Sequence, residues 1–552
     1  MSNKIKIETA ILIAILCLTS IMRLYKIDKI PPSLSWDEAA IGYNAYSILQ
    51  TGKDEYGVDF PLLFKSFDDY KLPGYFYLTA LSERVFGLNE FSVRLPSVIL
   101  GIMAVLGMFF LTKELLNSGK LALIAAFLLS VSPWHLQFSR GAFEANGALT
   151  FLIWGTLLTI KGMNKTKLLY FAIPILFASM YFYYASRFIA VALLLTILWV
   201  YKDKLSTIKK EILTSIFLSL IIISPLIPQF FSKEGFQRLR QVSIFNAESV
   251  TSDFSVALAQ HKDSPIANLV YNRRFAYAWA FVGNYLKHFS IDTLFANGDR
   301  NPRHAVRGMG LFYLWELPLL LAGLYVLVKM TDKKKWIFLS WFLLGPVPAS
   351  LSVDSPHALR NLSTLPAFLL IETIGFSFIL IKIKEKLSST VLKSMILILI
   401  ITMVAQNILT YFYLYYDFTP RRTNLSWGDG NKQMVKKLIE VQSNYDKIFI
   451  TGHYWKPYIY VLFYSQYNPA LYHKVGTDKH FDKYFFGNTF WEKRGVEFGE
   501  ENLQSLAGVK KTLFILSQEE MELIDKGKTP YTIKYETLDS FGIPRFKFIE
   551  LI

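Results

Sequence analysis

The chain is dominated by apolar runs close to the length that crosses a bilayer as helix, about 17–25 residues. They lie near 9–25, 92–112, 121–138, 145–160, 168–184, 186–201, 211–231, 311–328, 336–351, 362–381 and 391–413, which predicts eleven spans. Composition agrees. Of the 552 residues, 52% are hydrophobic and only 18% charged, and the mean hydropathy is +0.31. Soluble chains are nearer a quarter charged, so the polar surface is too small for several water-facing cores. With 45 Phe, 31 Tyr and one Cys, disorder, collagen and a disulfide scaffold are also excluded.

The connections between the runs set the orientation. One set is rich in lysine: Lys113 and Lys120; Lys161, Lys165 and Lys167; Lys202, Lys204, Lys209 and Lys210; Lys329 and 333–335; Lys382, Lys384, Lys386 and Lys393. Together with Lys4 and Lys6 these fall on one side when eleven spans are counted. Lysine-rich short loops stay in the cytoplasm, which places the N-terminus inside and the C-terminus outside, in a multi-pass protein of the cell (plasma) membrane. The net charge of +16, from 59 basic and 43 acidic residues, then reports orientation rather than nucleic-acid binding. No small-x-small cleavage site follows the first run, which continues Ile21-Met22-Arg23-Leu24-Tyr25. A retained signal-anchor helix is expected there.

Three regions are predicted outside: a first loop 26–91, a second 232–310, and a tail 415–552. Domain 1–414 is thus a membrane domain. The tail alternates β-rich runs (Lys447–Thr451, Thr512–Leu516, Tyr531–Tyr535, Arg545–Leu551) with helical stretches, which reads as a small extracytoplasmic α/β domain.

The informative polar residues stand at the outer ends of the spans. In Leu34-Ser35-Trp36-Asp37-Glu38-Ala39-Ala40 the two acids open an amphipathic stretch, Ile41–Leu49, ended by Thr51-Gly52. Trp36 is an interfacial residue type, so a helix lying on the membrane is expected, with the acids favoured in its first turn by the helix dipole. Tyr70-Lys71-Leu72-Pro73-Gly74 places a lysine before a turn, suited to an anionic headgroup or phosphate, and 75–87 reads as a second surface helix. Glu144 stands at the mouth of the next helix, one turn after Arg140, where the plain reading is an i,i+4 pair. Arg187, His357 and Arg360 recur at outer span ends, and the second loop adds Asp299, Arg303 and His304. Singly, each is an ordinary interfacial charge. Together they put acids and cations on one membrane face.

Carboxylates can take a proton from an attacking hydroxyl, and Arg and Lys can stabilise a phosphate leaving group. No Walker A or dinucleotide fingerprint is present, and nucleotide sugars are not expected outside the cell. Such a set suits transfer from a lipid-linked phosphate. A transporter or flippase predicts ionisable residues buried near mid-span, and a non-catalytic assembly subunit leaves the first-loop cluster unexplained. Asp37, Glu38 and Glu144 leave room for a divalent ion, but no histidine-rich spacing requires a metal or other cofactor.

The ordered set Ser35-Trp36-Asp37-Glu38-Ala39, Tyr70-Lys71-Leu72-Pro73-Gly74-Tyr75-Phe76-Tyr77 and Asn89-Glu90-Phe91-Ser92-Val93-Arg94-Leu95-Pro96 resembles GT-C glycosyltransferases. The likeness is to the protein O-mannosyltransferases and the aminoarabinose transferases of lipid A, strongest over 1–200. The resemblance implies an integral-membrane glycosyltransferase of the cell envelope using a polyprenyl-phosphate sugar, with inversion at the anomeric carbon and an acceptor that is a protein, lipid or glycan. It implies Asp37 as the base, Glu38 as its neighbour and Glu144 as a second catalytic acid. Lys71, Arg140, Arg187, His357 and Arg360 are implied on the donor phosphate, and 297–304, with Asp299, Arg303 and His304, as a substrate loop. Lys-Leu-Pro stands here where Lys-Pro is usual, and Arg187 stands where the aminoarabinose branch has lysine.

Overall fold

The computed structural model describes residues 3–67, 69–260, 271–386, 389–454, 456–487, 511–527 and 530–552. It divides into two compact units, one of Met1–Tyr25, Leu62–Tyr75 and Ser97–Asp417, the other of Lys26–Pro61, Phe76–Pro96 and Phe418–Ile552.

The first unit is helical. Its elements include α1 (Asn3–Leu24), and further on α5 (Gly119–Val131), α6 (Pro133–Arg140), α7 (Glu144–Gly162), α8 (Leu169–Ala178), α9 (Ser186–Val200) and α10 (Lys209–Ile223). Between α1 and α5 the chain also forms α2 (Trp36–Thr51), α3 (Gly74–Phe86) and the long α4 (Glu90–Leu116). Among the described residues five helices are long and apolar enough to cross a membrane: Ile5–Leu24, Glu90–Leu116, Lys209–Phe231, Leu362–Lys386 and Thr390–Trp427. A sixth results if α5 and α6, bent by 58°, are one span.

Helix length alone therefore supports fewer spans than the eleven apolar runs. Proline is one reason. It lacks an N–H and ends or bends a helix. Pro133 opens α6, Pro174 sits inside α8, which ends in a tight turn at Ser179–Tyr181, and Gly345-Pro346 separates Lys335–Leu344 from Val347–Ser350. The helix Thr390–Tyr413 turns Leu397, Ile398, Leu399, Ile401 and Leu409 outward, a surface suited to hydrocarbon and not to water.

The second unit contains α2 and a six-stranded sheet. The strands are β3 (Lys447–Thr451), β4 (His480–Phe481), β5 (Tyr484–Gly487), β6 (Thr512–Ser517), β7 (Tyr531–Leu538) and β8 (Pro544–Leu551), in the order β4-β5-β3-β6-β8-β7. The central three run parallel and the outer ones antiparallel. Phe449, Phe514, Leu516, Met521 and Ile549 form its core. A two-stranded ribbon, β1 (Phe64–Ser66) with β2 (Asp69–Lys71), belongs to the first unit.

The prediction that α2 lies on the membrane surface is corrected. Ten of its residues, Glu38 to Ala45 with Ser47 and Ile48, are buried. At Gly42 a Cβ would meet the Phe463 ring at 2.4 Å, so the helix Pro457–Tyr464 of the same unit covers it. An amphipathic pattern marks an apolar face without saying what covers it. By contrast α3 exposes Leu81, Val85 and Phe86, as a surface helix should.

Within the second unit Glu55 is buried, and among the described residues neither carboxylate oxygen has a hydrogen-bond partner. Burial, with Asp54 adding to it, pushes its pKa from 4.5 up to about 8. Between those values the unfolded chain is ionised and the folded chain holds its proton. Stability therefore falls as pH rises through that window. Glu55→Gln is expected to remove the loss. The stability difference between variant and wild type should grow by about 1.4 kcal/mol per pH unit between roughly pH 5 and 8. Denaturant unfolding of both proteins at the two ends of that range reads it, and a difference independent of pH refutes it.

Candidate functional site

The two members of the Asp37-Glu38 pair have different surroundings. Ser35 caps α2: its hydroxyl accepts from the Glu38 N–H, and Glu38 Oε2 accepts from the Ser35 N–H at 2.9 Å. This reciprocal box is what Ser-x-x-Glu encodes at a helix start. Arg94, fully buried, donates from Nε to Glu38 Oε1 at 2.9 Å and from Nη2 to Oε2 at 3.2 Å. Its other bonds go to the carbonyls of Ile27, Pro31 and Ser33. Glu38 is thus held on both oxygens and shapes the turn that presents Asp37. Asp37 is half-buried at the second position of α2. Arg94 lies in the Phe-x-Val-Arg-Leu-Pro stretch, whose pattern alone assigns it no role. A basic residue recurring after an acidic helix start was the signal.

The first unit holds the remaining predicted residues. Lys71, on β2, and Glu144, the first residue of α7, form an ion pair at 3.6 Å, each side chain 11% exposed. Partial burial strengthens such a pair relative to one in water. The i,i+4 pairing of Arg140 with Glu144 does not form. Gly141 breaks the helix between them, and Arg140 caps the end of α1 instead. It donates to the carbonyls of Met22 (2.6 Å), Arg23 (3.0 Å) and Tyr25 (2.8 Å) and to the Tyr415 hydroxyl (3.1 Å). With the Tyr415 and Tyr416 rings each 5.1 Å away, its donors serve packing.

Arg187, second in α9, is different. Its guanidinium lies between two rings, 3.8 Å from the centre of Phe230 and 4.6 Å from that of Tyr184. Two of its nitrogens, Nε and Nη2, are buried and have no hydrogen-bond partner among the described residues. Unsatisfied buried donors are rare, and each calls for an acceptor. Both rings and Arg187 line a cavity of about 230 Å³, shared with Phe236, Pro348, Ser352 and Arg360. Arg360 donates to Ser352 Oγ. The Tyr184 hydroxyl donates to the Tyr70 carbonyl at 2.8 Å, tying the strand that carries Lys71 to the cavity wall. An aromatic and aliphatic wall with two guanidiniums suits an amphiphile with an anionic head. The aromatic partners Tyr184 and Phe230 were not singled out from sequence.

The 299–304 loop and His357 come together in one cluster. Asp299 accepts from the N–H groups of Asn301 (2.8 Å) and Ala358 (2.6 Å) and lies 3.4 Å from His304 Nδ1. The His304 ring lies 4.7 Å from the His357 ring, tilted by 41° to it, and packs against Phe138 and Phe143. Burial acts to raise the Asp299 carboxyl, but His304 and the two N–H donors outweigh it and hold it below its ordinary value. Burial lowers the His304 imidazole, with Asp299 opposing and Arg303 and Arg360 adding. Arg303 is fixed through its carbonyl, which accepts from Gln137 Nε2 at 2.7 Å.

Comparison with known proteins adds three findings. Residues 71–228 match the family model described as dolichyl-phosphate-mannose-protein mannosyltransferase. Curated protein sequences give no match. Among solved structures the chain resembles ArnT from Cupriavidus metallidurans bound to undecaprenyl phosphate, at 10% identity and TM-score 0.55, over 99% of this chain and 98% of that one. It resembles equally, at 12% identity and TM-score 0.55, the archaeal oligosaccharyltransferase AglB from Archaeoglobus fulgidus in complex with an inhibitory peptide and a dolichol-phosphate, over 99% and 74%. Over its whole length the chain shares the fold of ArnT and AglB, and over residues 71–228 its sequence resembles the protein mannosyltransferases.

Proposed function

We propose that the protein transfers a sugar from a polyprenyl-phosphate donor to an acceptor hydroxyl on the outer face of the plasma membrane. The observation that carries this reading is Arg187, a buried arginine with two unpaired nitrogens in a cavity walled by aromatic rings and shared with Arg360. In the reaction the acceptor oxygen attacks the anomeric carbon and its proton passes to Asp37. The carbon–oxygen bond to the phosphate breaks with inversion, and the lipid phosphate leaves with the electron pair. Arg187 and Arg360 hold that phosphate, and Lys71, ion-paired to Glu144, completes the positive field. Glu144 keeps Lys71 in place. The reading keeps eleven spans, toward which the described residues contribute five long apolar helices, one bent pair and two shorter apolar helices, Thr166–Tyr181 and Ser186–Val200, and it puts the sheet-bearing tail outside the cell, where it meets the acceptor. ArnT was solved with undecaprenyl phosphate and AglB with dolichol-phosphate, the donor chemistry this cavity suits.

The test reconstitutes the full chain with a panel of polyprenyl-phosphate sugars and follows transfer. Arg187→Ala is expected to weaken donor binding at least tenfold, a charge-assisted contact being worth roughly 1.5–3 kcal/mol. Unchanged donor affinity removes the assignment.

One observation favours translocation of a lipid-linked sugar as a second reading. Glu372, within Leu365–Lys386, is fully buried with neither carboxylate oxygen hydrogen-bonded among the described residues, and Glu316 is buried as well. A flippase would lose transport in Glu372→Gln and keep it in Asp37→Asn; the transferase shows the reverse dependence in sugar transfer.

A further inference from the structure

His304 Nδ1 is buried and among the described residues has no hydrogen-bond partner, although Asp299 Oδ2 stands 3.4 Å away. A buried ring nitrogen facing a carboxylate oxygen ordinarily closes to a hydrogen bond of about 2.7–2.9 Å. The observed gap is instead close to the edge of a tetrahedron around a metal. Two ligands each about 2.0–2.1 Å from a zinc ion lie about 3.4 Å apart. His357 supplies a third donor: one ligand atom from each of Asp299, His304 and His357 lies within 4.8 Å of the other two.

We propose that Asp299, His304 and His357 bind a divalent transition metal ion of the zinc type. Two imidazoles and a carboxylate are a borderline-soft donor set that suits zinc and not the hard ions calcium and magnesium. The supports around the ligands are already in place. The carboxylate of Asp299 is oriented by the N–H groups of Asn301 and Ala358, as metal-binding carboxylates are. The His357 N–H donates to His288 Nε2 at 3.4 Å, and His288 Nδ1 bonds the Asn284 carbonyl at 2.9 Å, so a third histidine fixes the backbone at His357. Phe138 and Phe143 pack on the His304 ring. Bringing ligand atoms that lie within 4.8 Å of one another to a coordination edge of about 3.4 Å requires a shift of at most about 1.4 Å in one side chain.

Three protein ligands leave one position for water or an anionic oxygen. Arg303 and Arg360 act on His304 electrostatically, so an anion in that position is favoured over a neutral ligand. The ion also staples the second long loop to the segment 357–360, which ends in Arg360 on the cavity wall. It is distinct from the acids Asp37, Glu38 and Glu144, the residues from which a divalent ion was considered on sequence grounds.

The experiment uses the full chain, purified in detergent through a tag free of histidine, stripped by dialysis and titrated with Zn²⁺ and separately with Co²⁺. Uptake of about one equivalent is expected, and Co²⁺ should give visible absorption of a low-coordinate site. Asp299→Asn, which keeps an acceptor for the Ala358 N–H, and His304→Gln should each lower the affinity about tenfold or more. Arg303→Ala should retain the ion. Donor affinity is measured alongside: chelation should weaken it in wild type and leave it unaltered in His304→Gln. That second readout rests on the proposed donor cavity, whereas metal uptake does not, so the two ideas fail separately. Wild type that takes up no ion, or variants that bind it as tightly as wild type, overturns the proposal.

Discussion

Asp37→Asn is expected to lower the rate of sugar transfer by about 10² or more, the usual worth of a positioned general base, with donor affinity little changed. Asparagine matches the size of aspartate and is tolerated in the first turn of a helix, so α2 should form as before. It cannot accept the proton of an attacking hydroxyl. The neighbouring glutamate cannot replace it, because Glu38 is held by the Ser35 N–H on one side and by Arg94 on the other. The measurement separates single-turnover transfer from equilibrium donor binding, since a base acts only in the transition state. Transfer at the wild-type rate in Asp37→Asn sinks the assignment. A parallel loss of donor binding would instead make Asp37 part of the donor pocket.

The parts of this molecule that were legible in the sequence are those set by short-range rules. Ser35-x-x-Glu38 encodes a capping box, and α2 begins at Trp36 as that pattern requires. The β-rich runs of the tail coincide with β3, β6, β7 and β8, because alternation and branched residues mark strands over a few positions. Lys71 and Glu144 were named separately as candidates and form an ion pair, though 73 positions separate them and nothing in the local pattern links them. Arg140 shows what local reading misses. It sits one turn before an acid, yet its donors reach α1, more than a hundred residues earlier in the chain. Whether an arginine holds a ligand or caps a helix depends on which carbonyls lack partners nearby, a property of tertiary packing. The same holds for α2, whose amphipathic pattern fits a membrane surface as well as it fits the protein helix that covers it. Proline set the remaining difference, since an apolar run is read by composition but a helix is limited by its backbone N–H groups.

The largest effect on folding is expected at Arg94. Its side chain is fully buried and makes bonds to Glu38 and to three carbonyls between Ile27 and Ser33. Arg94→Met leaves the Glu38 carboxylate buried without its counter-charge and strips the carbonyls of their donor. Breaking a buried pair from one side costs about 3–5 kcal/mol, enough to unfold a marginal unit. Arg94→Lys should recover only part of this, because an ammonium lacks the planar fork that spans both carboxylate oxygens and the chain turn. The double variant Glu38→Gln with Arg94→Met should be more stable than Arg94→Met alone, since no bare charge remains to be buried, and that non-additivity distinguishes the ion pair from simple loss of packing. Denaturant unfolding in detergent of the four proteins measures the cycle. If Arg94→Met and wild type unfold at the same midpoint, the pair does not hold the turn. If the double variant is as unstable as the sum of the singles, the cost belongs to the carbonyls and not to Glu38. Either way Asp37 rests on this turn, so a weakened pair should lower transfer activity through the fraction of correctly folded protein, while the rate per folded molecule with Arg94→Lys stays near that of wild type.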